Sequence, residues 1–186
     1  MFGWLAARSL PPCSRAPRTF VSRRARRITP RALIEMLPAL GSVLYLHGAA
    51  NTALPDDMPQ GVLVQRAFAS LLSAHWLVAV SAVTDDGPRE WCECVDAYGR
   101  TRARWHLLPD TDYLAWDALT ASCVATVSPP SDTRRLRAAC ATVVSFRMCE
   151  FAGLWLLEEA SSSVLSPLGD RIATRIAHSE SVLRQG

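Results

Sequence analysis

One β-hairpin, at residues 90–108, constrains the fold of this chain more than any other segment. EWCECVD (residues 90–96) is followed by AYGR and then by TRARWHLL (residues 101–108), a pattern typical of two strands joined by a short turn. An even-length loop pairs positions whose numbers sum to 197, so Cys92 lies opposite Trp105 and Cys94 opposite Ala103. These four side chains make one apolar face, which we expect to pack into the core.

The opposite face of the hairpin is mixed in character. The same register brings together three cross-strand pairs there, which are Glu93 with Arg104, Val95 with Arg102, and Trp91 with His106. An opposite-charge pair across two strands contributes about 0.2–1 kcal/mol. A slip of one residue would turn the arginines into the core, so the register is well specified. We expect this second face to point away from the core.

The remaining segments alternate between helical and strand patterns. We predict a helix over Pro30–Leu40 with Thr29 as N-cap, a helix after Asp110 or Thr111, and a last helix from Ser166-Pro167 to about Arg184. Helical spacing also fits Gly61–Ala74, and we predict strands over Ser42–His47, His75–Val83, 134–149 and 152–159. Residues 48–60 and 128–132 read as loops. Mixed elements around adjacent hairpin strands predict an α+β fold, with a mainly antiparallel sheet and flanking helices.

The charge of the chain is distributed unevenly. Residues 1–34 contain eight arginines and no acidic residue, whereas the remainder holds 12 arginines against 17 acidic residues. Residues 35–186 are therefore mildly acidic. A dedicated nucleic-acid binder carries a basic surface, so this charge disfavours that class of protein. Because Pro11, Pro12 and Pro17 interrupt any continuous helix, we predict a disordered basic extension over 1–29 and a single α+β domain over 30–186. A targeting segment and an arm for nucleic acid or a membrane surface are the alternatives.

Composition excludes several kinds of enzyme. All 20 basic residues are arginine, which rules out a Schiff-base lysine, a P-loop lysine and a lysine general base. The sequence has no Gly-x-Ser-x-Gly elbow, and no cysteine stands at a predicted helix start near a histidine. We therefore expect a binding or transport protein more than an enzyme, and the question of enzyme activity stays open, with oxidative haem degradation as the enzymatic alternative.

Cysteine usage and hydropathy indicate the compartment. The six cysteines form no Cys-x-x-Cys pair and mostly lie in apolar surroundings, which favours reduced thiols and a cytoplasmic location. A zinc site built from Cys92, Cys94 and His106 is disfavoured, because the register puts His106 on the face opposite both cysteines. The longest apolar stretch, Leu71 to Val83, is shorter than the roughly 20 residues that a membrane span needs, so we expect none.

Three blocks of the sequence resemble the cytosolic haem-utilisation carriers of Gram-negative bacteria, the HemS/ChuX-like hemin transport family. They are ALGSVLYL (residues 39–46), LLSAHWLVAV (residues 71–80) and CVDAYGRTRARWHLLPDTDYLAWDAL (residues 94–119). The resemblance implies a wide antiparallel sheet, haem as ligand, a histidine on the iron, arginines on the propionates, and haem-uptake or haem-degrading proteins as partners. The family's histidine-containing stretch after the first strand has no counterpart in residues 47–61, so its ligating histidine is not transferred.

The mixed face of the hairpin supplies the candidate haem site. Haem takes an imidazole on its iron, an apolar slot for the porphyrin and cations for two propionates. His106 is the candidate iron ligand, with Arg102 and Arg104 for the propionates and Trp91 as an aromatic wall. His47, at the end of a strand, is the next candidate ligand. We expect His75 at the boundary of the core and His178 on the surface.

Two further interpretations stay open at this stage. The mixed face can be an ordinary solvated strand face with a Glu93–Arg104 ion pair and no ligand. The chain can also be a non-catalytic regulatory or protein-interaction module without a haem role, using its sheet face and basic head to hold a partner. The sequence leaves the oligomeric state open.

Overall fold

Nine strands in one sheet form the framework of the part of the chain that the structure describes. The structure is a computed structural model, which describes residues 19–48, 61–84, 87–125, 136, 138–160 and 165–185. The strands are β1 (Thr19–Arg27), β2 (Ser42–His47), β3 (Val62–Val64), β4 (Trp76–Thr84), β5 (Gly87–Val95), β6 (Thr101–His106), β7 (Cys140–Phe151), β8 (Leu154–Glu159) and β9 (Arg184–Gln185). Their order is β1-β4-β5-β6-β2-β7-β8-β3, with β9 also beside β7.

Most of the strand pairs are antiparallel, which confirms the predicted fold class. Among the named strands of the described chain, β3 with β8 and β7 with β9 are the parallel pairs. The helices are α1 (Pro30–Met36), α2 (Tyr113–Thr120) and α3 (Pro167–Ser179), with 3₁₀ helices at Leu37–Leu40 and Arg66–Ser73. No helix in the described ranges is both long and apolar enough to cross a membrane.

Side-chain caps fix where the α-helices begin. Thr29 accepts a hydrogen bond from the Ala32 amide and Ser166 from the Gly169 amide, as predicted for α1 and α3. The cap of α2 is Asp112, which accepts from the Ala115 amide, rather than Asp110 or Thr111. Those two residues have other partners, because Asp110 holds the start of α3 and Thr111 donates to the Ser42 carbonyl.

Part of the predicted basic extension is folded. Thr19–Arg27 forms β1 and pairs along β4, so the expectation of disorder is wrong for these residues. Ala25 is buried in the strand, and the neighbouring Arg24 and Arg26 are half-buried. Charged side chains of this kind suit a strand at the edge of a sheet. Residues 1–18 lie outside the described residues.

Two helix predictions were longer than the helices that form. Within Gly61–Ala74, the first residues form β3 and a 3₁₀ helix follows. The last helix ends at Ser179, before Arg184, which begins β9. The two adjacent strands β7 and β8 are confirmed, with their turn at Ala152 and Gly153. Residues 49–60 and 128–132, which make up most of the predicted loops, lie outside the described residues.

Both faces of the sheet carry buried side chains. The first, which we call the core face, bears Cys92, Cys94 and Trp105 and packs against α1, α2 and both 3₁₀ helices. The second, which we call the α3 face, bears Leu44 and Leu46 under α3. A separate apolar cluster continues the α3 face across the strands toward β1, made of Ala25, Trp76, Val78, Val80, Ala82, Trp91 and Val95.

The attachment of α3 to the loop before α2 gives a testable prediction. Gly169 is buried, and a Cβ there would overlap Asp110 Oδ2, which accepts from Ser166 Oγ. We expect Gly169→Ala to lower the free energy of unfolding by about 1–2 kcal/mol in urea titrations, although alanine is the better helix former.

A double-mutant cycle tests the cause of that loss. In the Asp110→Ala background the carboxylate is gone, so Gly169→Ala should be neutral or stabilising. An equal loss in both backgrounds would contradict the contact with Asp110.

Candidate functional site

The β5–β6 hairpin has the predicted register through most of its length. Trp91 pairs with His106, Cys92 with Trp105, Glu93 with Arg104 and Cys94 with Ala103. Its mixed face does not face solvent, however, since Trp91, Glu93 and His106 are 3%, 6% and 3% exposed. The expectation of a solvated strand face is wrong because β4 and β2 flank the hairpin in the middle of the sheet and α3 packs on this side.

Glu93 is the centre of a hydrogen-bonded charge network. Its Oε1 accepts from Arg104 Nη2 at 3.0 Å and from Trp91 Nε1 at 3.1 Å, and its Oε2 accepts from Arg23 Nη2 at 3.2 Å. Arg104 Nη1 also donates to Glu180 Oε1 at 3.1 Å. Two cations and two anions therefore join β1, the hairpin and the end of α3.

His106 and Trp91 are adjacent on the same face. Their rings lie 5.5 Å apart between centroids, with an interplanar angle of 37°. The Arg104 guanidinium carbon is 5.4 Å from the Trp91 ring centroid, within reach of a cation–π interaction. The structure therefore brings together three of the five predicted site residues.

Those polar groups are flanked by apolar side chains in the same rows of the sheet. Cross-strand pairing places Val80, Trp91, His106, Leu44 and Val143 in one row. A second row carries Val78, Glu93, Arg104, Leu46 and Ala141. An imidazole and a guanidinium thus stand in neighbouring rows of an otherwise largely apolar surface.

Arg102 is separated from this group by a bulge. The register shifts after Cys94, so Val95 pairs with Thr101 and Arg102 becomes the extra residue. The predicted Val95–Arg102 pair is therefore wrong. The Arg102 charge acts instead on the Cys94 thiol, whose pKa it lowers against the larger effect of burial. No glycine stands at residues 101–103, so the bulge was not predicted.

His47 lies on the other face of the sheet. It follows Tyr45 by two residues on β2, and the two rings are 5.4 Å apart. Its Nδ1 is 2.8 Å from the Gly48 carbonyl oxygen. Since Tyr45 belongs to the core face, His47 and His106 point to opposite sides, and they cannot hold one ligand together. The other two histidines, His75 and His178, are exposed.

Two members of the charge network were absent from the sequence prediction. Glu180 lies 76 residues from Arg104 along the chain, and no local pattern relates the two. Arg23 was assigned to the basic extension. Its position in β1, seven residues before the start of α1 at Pro30, gave no sign that it would reach Glu93 across β4.

The α3 face has the chemical groups that haem requires, but the space that haem would need is occupied by protein. An imidazole, an indole, a guanidinium and a broad apolar surface are present, but His106 is buried and α3 packs over Leu44 and Leu46 beside it. Arg104 is also bonded to two carboxylates. In this arrangement the residues do not fit haem, although their types do.

Cys92 and Cys94 are unsuited to metal binding or to redox chemistry. Burial raises the pKa of Cys94 to about 12 and raises that of Cys92 well above its usual range, which keeps both thiols protonated. His106 lies on the face opposite both, as the register predicted. Within the described residues, no group of three or more His, Cys, Asp or Glu side chains is placed to hold a metal ion.

Comparison with known proteins gives limited information. No family model matches the chain, and no curated protein matches it. Among solved structures it is similar to the heme-degrading enzyme ChuS of Escherichia coli O157:H7, with a TM-score of 0.42 and 13% identity. That match covers 62% of this chain and 39% of that enzyme, so this chain spans about two fifths of its length. We therefore base the function on this chain's own residues.

Glu93 should contribute far more to the free energy of unfolding than Arg23, the exposed member of its charge network. Glu93→Ala leaves Arg104 without its central partner, and we expect the free energy of unfolding to fall by about 3 kcal/mol. Arg23 has a 57% exposed side chain, so Arg23→Ala should cost less than about 1 kcal/mol. Urea unfolding of both variants measures the contrast, and similar losses would contradict a buried centre at Glu93.

The raised pKa of Cys94 predicts how stability depends on pH. The thiol stays neutral in the fold up to about pH 12, whereas it titrates near pH 8.5 in the unfolded chain. Its stabilising contribution is therefore complete below about pH 8.5 and is lost as the pH rises toward 12. Between pH 8 and 10 the wild type should lose about 2 kcal/mol more than Cys94→Ala in denaturant unfolding. Parallel losses would show that this thiol is not responsible.

Proposed function

We propose that this protein is a non-enzymatic haem-binding carrier, with His106 as the iron ligand in a form of the protein in which this buried face is uncovered. The observation that carries the proposal is the row in which His106 stands between Trp91 and Leu44. Such a row offers one imidazole in the middle of an apolar surface, which suits a porphyrin with a central iron. The adjacent Trp91 ring, tilted by 37° to the imidazole, would add an aromatic contact for the macrocycle.

Arg104 is the cation proposed for a propionate. Its guanidinium lies one row away from His106, and its planar fork matches a carboxylate. Arg102 stays a weaker candidate, because the bulge directs its charge to Cys94. His47 is not proposed as a ligand at this site, since it belongs to the core face.

A hemin titration followed by the Soret band tests the proposal. The wild type should bind hemin saturably at one equivalent, and His106→Ala should weaken binding by at least about tenfold, since an axial ligand contributes several kcal/mol. His178→Ala, an exposed histidine on α3, is the matched control and should bind as the wild type does.

Iron-free protoporphyrin separates ligation from apolar contact. It should bind the wild type more weakly than hemin does and should not distinguish His106→Ala from the wild type. The haem proposal fails if no saturable shift occurs, or if His106→Ala and His178→Ala bind hemin equally well.

An interaction module without a haem role is the second candidate. Its specific support is an exposed apolar patch at the end of the β7–β8 hairpin, where Phe151, Leu154 and Trp155 are 63%, 37% and 50% exposed. Exposed apolar clusters of this kind mark protein interaction sites. This candidate would be favoured if the wild type binds no hemin and if Phe151→Ser and Trp155→Ser abolish the binding of a partner protein.

A further inference from the structure

We infer that the tip of the β7–β8 hairpin, residues 149–156, is a docking site for residues 1–18 of the same chain. The tip bears the exposed apolar patch described above, and the inference commits to one occupant for it. It is independent of the haem proposal, because His106 and its charge network take no part. Four observations support it, which concern the two sides of the tip, the composition of residues 1–18 and the place where they join the sheet.

One side of the tip is apolar and lies beyond the cover of α3. Strand pairing places Cys149, Leu156 and Leu63 in one row, and Phe151 and Leu154 in the next. Phe151 and Leu154 are exposed, and the other three side chains are half-buried. Among the described residues, the apolar cluster under α3 contains none of these five, although α3 packs on the same side of β7. This side therefore suits a segment that brings large apolar side chains.

The other side of the tip combines an aromatic ring with free carboxylates. Trp155 is exposed and lies directly across from Glu150, while Glu159 stands further along the same side. Arg147 pairs with Glu158 on the apolar side, whereas neither Glu150 nor Glu159 forms an ion pair within the described residues. A guanidinium can stack on an indole and bond a neighbouring carboxylate, so this side suits arginine.

Residues 1–18 have the complementary composition. Their sequence, MFGWLAARSLPPCSRAPR, contains three arginines and no acidic residue, with a phenylalanine, a tryptophan and two leucines among its first ten positions. Docking on the tip therefore pairs opposite charges and covers apolar surface at the same time. A second copy of the same tip, an anionic membrane and a nucleic acid would each bring like charges together, which disfavours them.

Residues 1–18 join the sheet at the end that carries the tip. Successive strand pairs place Arg23 of β1 and Val143 of β7 in one row, and the two strands run in opposite directions. The start of β1 and the end of β7 therefore lie at the same end of the sheet. Five strand spacings separate β1 from β7, which is about 24 Å. An extended segment of 18 residues spans up to about 60 Å, so it reaches the tip while β1 stays paired.

Cross-linking between two thiols of the whole chain tests this docking. Cys13 belongs to the segment and Cys149 to the tip, whereas the other four cysteines are buried. A short bismaleimide should join Cys13 to Cys149 within one chain at micromolar protein concentration, and peptide mass spectrometry identifies the product. Phe151→Ser and Glu150→Arg should each slow this product by at least about fivefold, because a docked segment holds its thiol at a higher effective concentration than a free one does. Labelling of Cys149 by a monofunctional maleimide normalises the rates.

A matched control and a charge exchange make the result specific. Tyr98→Ser changes an exposed aromatic residue in the β5–β6 turn, at the opposite end of the sheet, and should leave the rate unchanged. Reversal of the three charges in the segment should slow cross-linking in the wild-type background and restore it in Glu150→Arg. The three changes are Arg8→Glu, Arg15→Glu and Arg18→Glu.

The other outcomes would overturn the docking. A cross-linked dimer in place of the product within one chain would show that a second copy occupies the tip. An equal rate in the wild type, Phe151→Ser and Glu150→Arg would show chance encounters of a tethered thiol. No product, with Cys149 still reactive, would leave the patch to another protein. Hemin enters none of these measurements, so the failure of this proposal and the failure of the haem proposal are distinguishable.

Discussion

The pairing of β5 with β6 is the interaction on which the rest of the structure depends. Its register sends Cys92, Cys94 and Trp105 to one side and Trp91, Glu93, Arg104 and His106 to the other. Both sides are buried, because α1, α2 and both 3₁₀ helices pack on the core face and α3 packs on the other, where Trp91, Glu93 and His106 are almost fully buried. The charged face therefore needs internal partners, and Glu93 supplies them by bonding Arg104, Arg23 and Trp91.

This arrangement explains how a polar cluster is tolerated inside the sheet. A buried carboxylate is costly unless it is paired and hydrogen-bonded, and Glu93 has three donors. The same cluster links elements that are distant in sequence, since β1 and the end of α3 both bond to it. Arg104, which we propose for a haem propionate, is thus also a member of a stabilising network.

The sequence predicted local structure well where short-range physics determines it. The hairpin register, the caps at Thr29 and Ser166 and the antiparallel α+β class all follow from residue patterns within a few positions. The sequence did not predict contacts between segments that are distant along the chain. The burial of His106, the pairing of Arg104 with Glu180 and the folding of β1 depend on neighbours that no local pattern reveals. The bulge at Arg102 likewise lacks a residue with special backbone freedom.

A crystal structure of the hemin-saturated protein would test the central claim most directly. Our account predicts that the iron is bonded to the His106 imidazole on the face that bears Trp91 and Leu44. Haem bound elsewhere, with His106 still buried, would contradict it.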